Sequence, residues 1–128
     1  MVVEMADIKE ILGKTIWSID GLESGSEEFT FRFSDGCSIK FLHYQDCCED
    51  VYVNDVCGYA LDLVGFPLLV AREADGQQDP VDADSYTWTF YEFATNKGSV
   101  TVRWLGISNG YYSEAVDYNF SSASEVAA

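Results

Sequence analysis

Basic residues are scarce in this chain: 7 Lys and Arg stand against 22 Asp and Glu, leaving a formal charge of −15. That balance argues against nucleic acid, an anionic membrane or heparin as the direct partner, since binding phosphate draws on Lys and Arg. Long hydrophobic runs are missing too. The longest, Phe66-Pro67-Leu68-Leu69-Val70-Ala71, falls far short of the roughly 20 residues a membrane helix needs. The opening Met1 to Asp7 carries acids where a secretory leader carries bases, so the expectation is a cytoplasmic protein. Cysteine is limited to 4 residues, at positions 37, 47, 48 and 57, with no Cys-x-x-Cys hook. In a reducing compartment these are expected to remain thiols, with no disulfide. No internal repeat and no linker divides the chain, so one domain over residues 1–120 is expected, with a small polar tail over 121–128.

What the chain does have is apolar and aromatic material, 48% and 15% of its residues, enough to close a core. Asp7-Ile8-Lys9-Glu10 reads as a capping box before Ile11 and Leu12, predicting a short N-terminal helix stopped by Gly13. Thr15 to Asp20 suggests a strand. Glu28-Phe29-Thr30-Phe31-Arg32-Phe33 alternates strictly, Ser34-Asp35-Gly36 supplies turn chemistry, and Cys37 to His43 alternates again, which predicts a hairpin. On it Phe29, Phe31 and Phe33 share one face, and His43 falls in line with Cys37, Ile39 and Phe41. Val51 to Val53 reads as a short strand, Asn54 or Asp55 as the cap of a helical turn through Val64, Leu68 to Arg72 as a further strand, and Ala74 to Asp84 as a loop. Tyr86 to Phe93, Val100 to Leu105 and Tyr111 to Tyr118, separated by Asn96-Lys97-Gly98 and Asn109-Gly110, predict a three-stranded meander. The fold expected is α+β, mainly antiparallel β: a twisted sheet or partly open barrel of six to eight strands with one or two short helices.

Three constellations carry candidate chemistry. His43, Cys47, Cys48 and Cys57 are the residue types of a zinc site or of a Cys–His nucleophile pair. Adjacent Cys47 and Cys48 diverge in an extended chain, however, and neighbouring acids raise a thiol's pKa, so no metal and no cofactor is expected. The second constellation is acidic: Asp20, Glu23, Glu27 and Glu28; Asp46, Glu49, Asp50 and Asp55; and Glu73, Asp75, Asp79, Asp82 and Asp84. Such a surface either keeps the chain soluble or imitates nucleic-acid phosphates to occupy a basic groove. Asp79, Asp82 and Asp84 fail the EF-hand pattern, because Tyr86 stands where the third acid belongs. The third constellation is aromatic: Trp88, Tyr91, Trp104, Tyr111 and Tyr112 with Lys97, Arg103 and Asn109, types able to stack on a base or sugar and hold its polar edges.

Tyr44-Gln45-Asp46-Cys47-Cys48-Glu49, Ser85 to Tyr91, Thr95-Asn96-Lys97-Gly98 and Ser108-Asn109-Gly110-Tyr111-Tyr112-Ser113 together resemble a family of small bacteriophage and prophage proteins of unassigned function. The likeness spans about residues 35–118 and leaves the first 34 outside it. It implies a phage setting and transfers no catalytic residue. Charge and resemblance together lead to the expectation of a non-enzymatic, acidic binding protein. Its partner would be a host protein with a basic surface, such as a nucleic-acid-handling defence enzyme, met in the host cytoplasm through Asp46, Glu49, Asp50, Glu73, Asp75, Asp79, Asp82 and Asp84. The alternatives are a nucleotide-like ligand held by the aromatic cluster, and a Cys/His enzyme or zinc protein. The oligomeric state is left open, a homodimer included.

Overall fold

The computed structural model describes residues 8–74, 76 and 78–121. Alternating sequence becomes alternating burial in the first hairpin. Along β2 (Glu28–Phe33) the phenylalanines at 29, 31 and 33 are buried, and along β3 (Ser38–Leu42) Ile39 and Phe41 are buried, while the residues between them face outward. The two strands pair antiparallel with Phe31 opposite Ile39. β1 (Ile16–Asp20) pairs antiparallel with β2 on its other side. β4 (Asp50–Cys57), β5 (Val70–Ala74), β6 (Ser85–Thr95) and β7 (Gly98–Ser108) build the second sheet, and β8 (Asp117–Ser121) completes the first. The orders are β1-β2-β3-β8 and β4-β7-β6-β5, every pairing antiparallel.

Mainly antiparallel β is therefore the architecture, with eight strands among the described residues. The expected single sheet or open barrel is instead two sheets that meet face to face without closing. Phe29 meets Trp104, Phe31 meets Phe93 and Phe41 meets Tyr91, with ring centroids 5.9, 5.0 and 5.2 Å apart. These offset and edge-on contacts across the layers are the arrangements aromatic pairs prefer. The one or two short helices expected are two 3₁₀ turns among the described residues, Ile8–Ile11 and Ala60–Leu63. Asp7, the expected cap of the first, lies outside the described residues, as does the tail from residue 122.

Other elements differ in extent or partner. β4 runs past Asn54 and Asp55 through a bulge, so neither residue caps a helix. The strand expected over Leu68 to Arg72 begins at Val70, because Leu68 instead exchanges backbone hydrogen bonds with Gly13 and Lys14. The C-terminal meander ends after two strands. Ser108 Oγ accepts the Gly110 N–H and Asn109 Oδ1 accepts the Tyr111 N–H. The chain then crosses to the first sheet, where β8 pairs with β3.

Candidate functional site

Two loops carry the chain from one sheet to the other: residues 43–49 between β3 and β4, and 109–116 between β7 and β8. They leave from the same end of the sandwich, since Leu42 lies opposite Asp117 and Asp50 opposite Ile107. His43 binds them together. Its Nδ1 lies 2.7 Å from the Ala115 carbonyl oxygen and its Nε2 2.6 Å from Glu49 Oε2. A carbonyl can only accept, so Nδ1 carries a proton. Glu49 already receives the backbone N–H groups of Asp46 at 2.7 Å and Cys47 at 2.9 Å, which marks it as a carboxylate. Nε2 therefore donates as well, and the pair is an imidazolium and a carboxylate whose side chains are 3% and 0% exposed.

The electrostatics follow from these contacts. Burial pulls the His43 pKa down, but the hydrogen bond to Glu49, the Ala115 carbonyl and the nearby Asp117 outweigh it, and the net shift is upward. For Glu49 burial pushes the pKa up, yet His43 and the backbone N–H groups hold it at about 2. In the neighbouring loop Glu114 is buried, with Thr87 Oγ1 donating at 2.7 Å and Ser108 Oγ at 2.5 Å. There too hydrogen bonds outweigh burial and keep the pKa low. Gly106 makes room for that loop, because a Cβ there would stand 2.5 Å from the Glu114 carbonyl oxygen.

Beside the pair lies a recess of about 340 Å³, lined by Glu27, Glu28, Leu42, His43, Gln45, Glu49, Asp50 and Val51. Asp46 and Asp50 are exposed at this end. Glu49 is not part of the accessible acidic surface expected of it: it is spent on His43 and the turn it caps. Cys47 and Cys48, expected as thiols, are joined to each other across a bend of the chain, their Cα atoms 3.7 Å apart. Cys37 and Cys57 are free. Cys57 ends β4, roughly 23 Å of strand from Asp50, so it does not join His43, Cys47 and Cys48. Both His43 nitrogens are occupied, and no group of three or more His, Cys, Asp or Glu able to hold a metal occurs among the described residues.

The second acidic stretch is partly tied down. Asp79 takes the Arg103 guanidinium at 3.3 Å, and its backbone oxygen accepts the Trp88 Nε1–H at 2.9 Å. Glu73, Asp82 and Asp84 are exposed, and Asp75 lies outside the described residues.

The aromatic residues do not converge on one pocket. Alternation along β6 and β7 sends Tyr91 and Trp104 into the core, while Trp88 and Arg103 face outward, the guanidinium 4.5 Å from the indole centroid. Arg103 also donates to Asn54 Oδ1 at 2.8 and 3.1 Å. Tyr111 is exposed, Tyr112 half-buried, and Asn109 is engaged in its own turn. A groove that the patterning did not indicate opens beside β1, lined by Trp17, Ile19, Leu22, Leu61 and Val64 among others.

The two crossover loops hold the Asp-Cys-Cys-Glu and Ser-Asn-Gly-Tyr-Tyr segments side by side. No curated protein and no solved structure matches the chain. One family model does, over residues 9–118, which takes in β1 and β2 as well as the stretch from residue 35. The chain belongs to that family, described as a domain of unknown function, DUF7448.

Proposed function

We propose that this domain acts by binding and not by turnover: it presents carboxylates on a rigid sandwich to a basic face of a partner protein and occludes it. The class of partner proposed is a nucleic-acid-handling protein of a host cell's defence, with the domain serving a phage. One observation carries the reading. The few cations are consumed internally, Lys14 by Asp35, Arg32 by Asp20, Lys40 by Glu28, Arg72 by Glu92 and Arg103 by Asp79. Lys97 lies over the Phe66 ring. Asp46, Asp50, Glu73, Asp82 and Asp84 are exposed and form no ion pair among the described residues. With a net charge of −15 the field outside the molecule is negative on balance, which steers a basic surface inward and repels nucleic acid itself. The recess beside Asp50 has the size and charge to take a lysine or arginine side chain from such a surface.

The test is capture from a bacterial lysate by cross-linking, with the captured protein identified by mass spectrometry. A nucleic-acid-handling protein released by moderate salt, and no longer captured when Asp50, Asp82 and Asp84 are changed to Lys, is the expected result. Capture that survives both the charge reversal and high salt overturns the reading.

A further inference from the structure

Six large apolar side chains, Leu12, Trp17, Tyr59, Leu61, Phe66 and Leu69, are exposed on two segments that the Thr15–Pro67 and Ile16–Val64 bridges hold side by side. Apolar surface gathered in this way on a chain of such charge marks a place of contact. Two of the six, Trp17 and Leu61, line a groove of about 340 Å³ together with Ile19, Leu22, Val64 and Glu23. Trp17 is 60% exposed and Leu61 79%. The groove runs beside β1, the edge strand of its sheet. Ile16 accepts the Gly65 N–H on the side away from β2, and past that point no strand or loop of the described residues pairs with that side of Trp17 to Asp20, whose other side is taken by β2. An edge with open backbone groups next to an apolar slot is the arrangement that accepts an added strand, whose alternate side chains enter the slot.

We infer that the β1 edge and the Trp17–Leu61 groove dock an extended segment of a partner protein that carries an apolar side chain next to lysines or arginines. Charge selects this occupant over a second copy of the chain. Another copy brings the same −15, whereas basic residues meet Glu23 beside the slot. This docking does not require the electrostatic occlusion proposed above, and it stands if the acidic recess is idle.

The experiment uses the full chain and a short, blocked, fluorescent peptide of alternating leucine and lysine. Its controls are an all-lysine peptide of equal charge and the leucine–lysine peptide with alternate backbone nitrogens methylated. Saturable binding is expected, weakened roughly ten- to a hundredfold by Leu61→Ser or Trp17→Ser and by backbone methylation. Amides of residues 17–20 should gain protection from hydrogen exchange. Both side chains are exposed, so an unchanged melting temperature is expected to accompany the lost binding. Asp50→Lys in the recess should leave this binding within about twofold, which separates it from occlusion by the acidic surface. The inference is overturned if the all-lysine peptide binds equally well, if Leu61→Ser and Trp17→Ser leave affinity unchanged, or if no saturable binding occurs. It is overturned equally if sedimentation shows a concentration-dependent dimer that Leu61→Ser dissolves, which would give the groove to a second copy.

Discussion

His43 is the single histidine of the chain, so its titration can be followed without assignment. Its raised pKa means that its contribution to stability is complete below the ordinary 6.5 and lost as the pH climbs through the folded value. Glu49, held at about 2 against an ordinary 4.5, contributes fully above 4.5 and loses its contribution as the pH falls towards 2. Both are present together from about pH 4.5 to 6.5. We expect the imidazole proton resonances to titrate with a midpoint above 6.5. We also expect the melting temperature to decline above that pH in the native chain and to stay flat in His43→Gln. A midpoint at or below 6.5 contradicts the imidazolium–carboxylate pair. In the core, Phe41 touches Phe29, Phe31, Tyr91, Phe93 and Tyr118. Phe41→Ala should cost about 3–5 kcal/mol in denaturant unfolding. The position of Phe41 was legible from alternation alone. The partner of His43 was not: alternation tells which way a side chain points, and a buried imidazole only announces that some acceptor must reach it.

Among elements, the hairpins β2–β3 and β6–β7 could be read because turn residues separate two runs of period two. The strand β4 could be read only in its first half, since Asn54 and Asp55 suit a cap and the bulge that absorbs them has no signature in composition. The crossing from β7 to β8 was hidden for another reason. Asn109-Gly110 is also a hairpin signal, and only Glu114, drawn between Thr87 and Ser108, turns the chain away from β7. Gly106 is the element's weak point. Gly106→Ala places a methyl against the Glu114 carbonyl and should cost about 1–3 kcal/mol. Hydrogen exchange should then locate the loss in residues 109–116 while β2 and β6 stay protected. The outward pair Trp88 and Arg103 likewise pins the loop around Asp79, so that stretch is held more firmly than its Gly, Pro and Asp content suggests.

For the molecule as a whole, an excess of anions whose counter-charges are already consumed works against compactness. Added salt, raised from about 0.01 to 0.15 M, should therefore increase the melting temperature, because the screening length shortens from about 30 to 8 Å. A melting temperature that falls with salt would mean that the internal ion pairs outweigh the repulsion. The order of the strands bears on assembly. The sheet begun by β1, β2 and β3 gains its fourth member only after the entire opposite layer has been laid down, with Ser38 finding Ser121. Closure over so long a span is slow. During translation β3 must wait with one flank open until β8 emerges, so a chain cut before Asp117 should collect as insoluble aggregate instead of a smaller native domain.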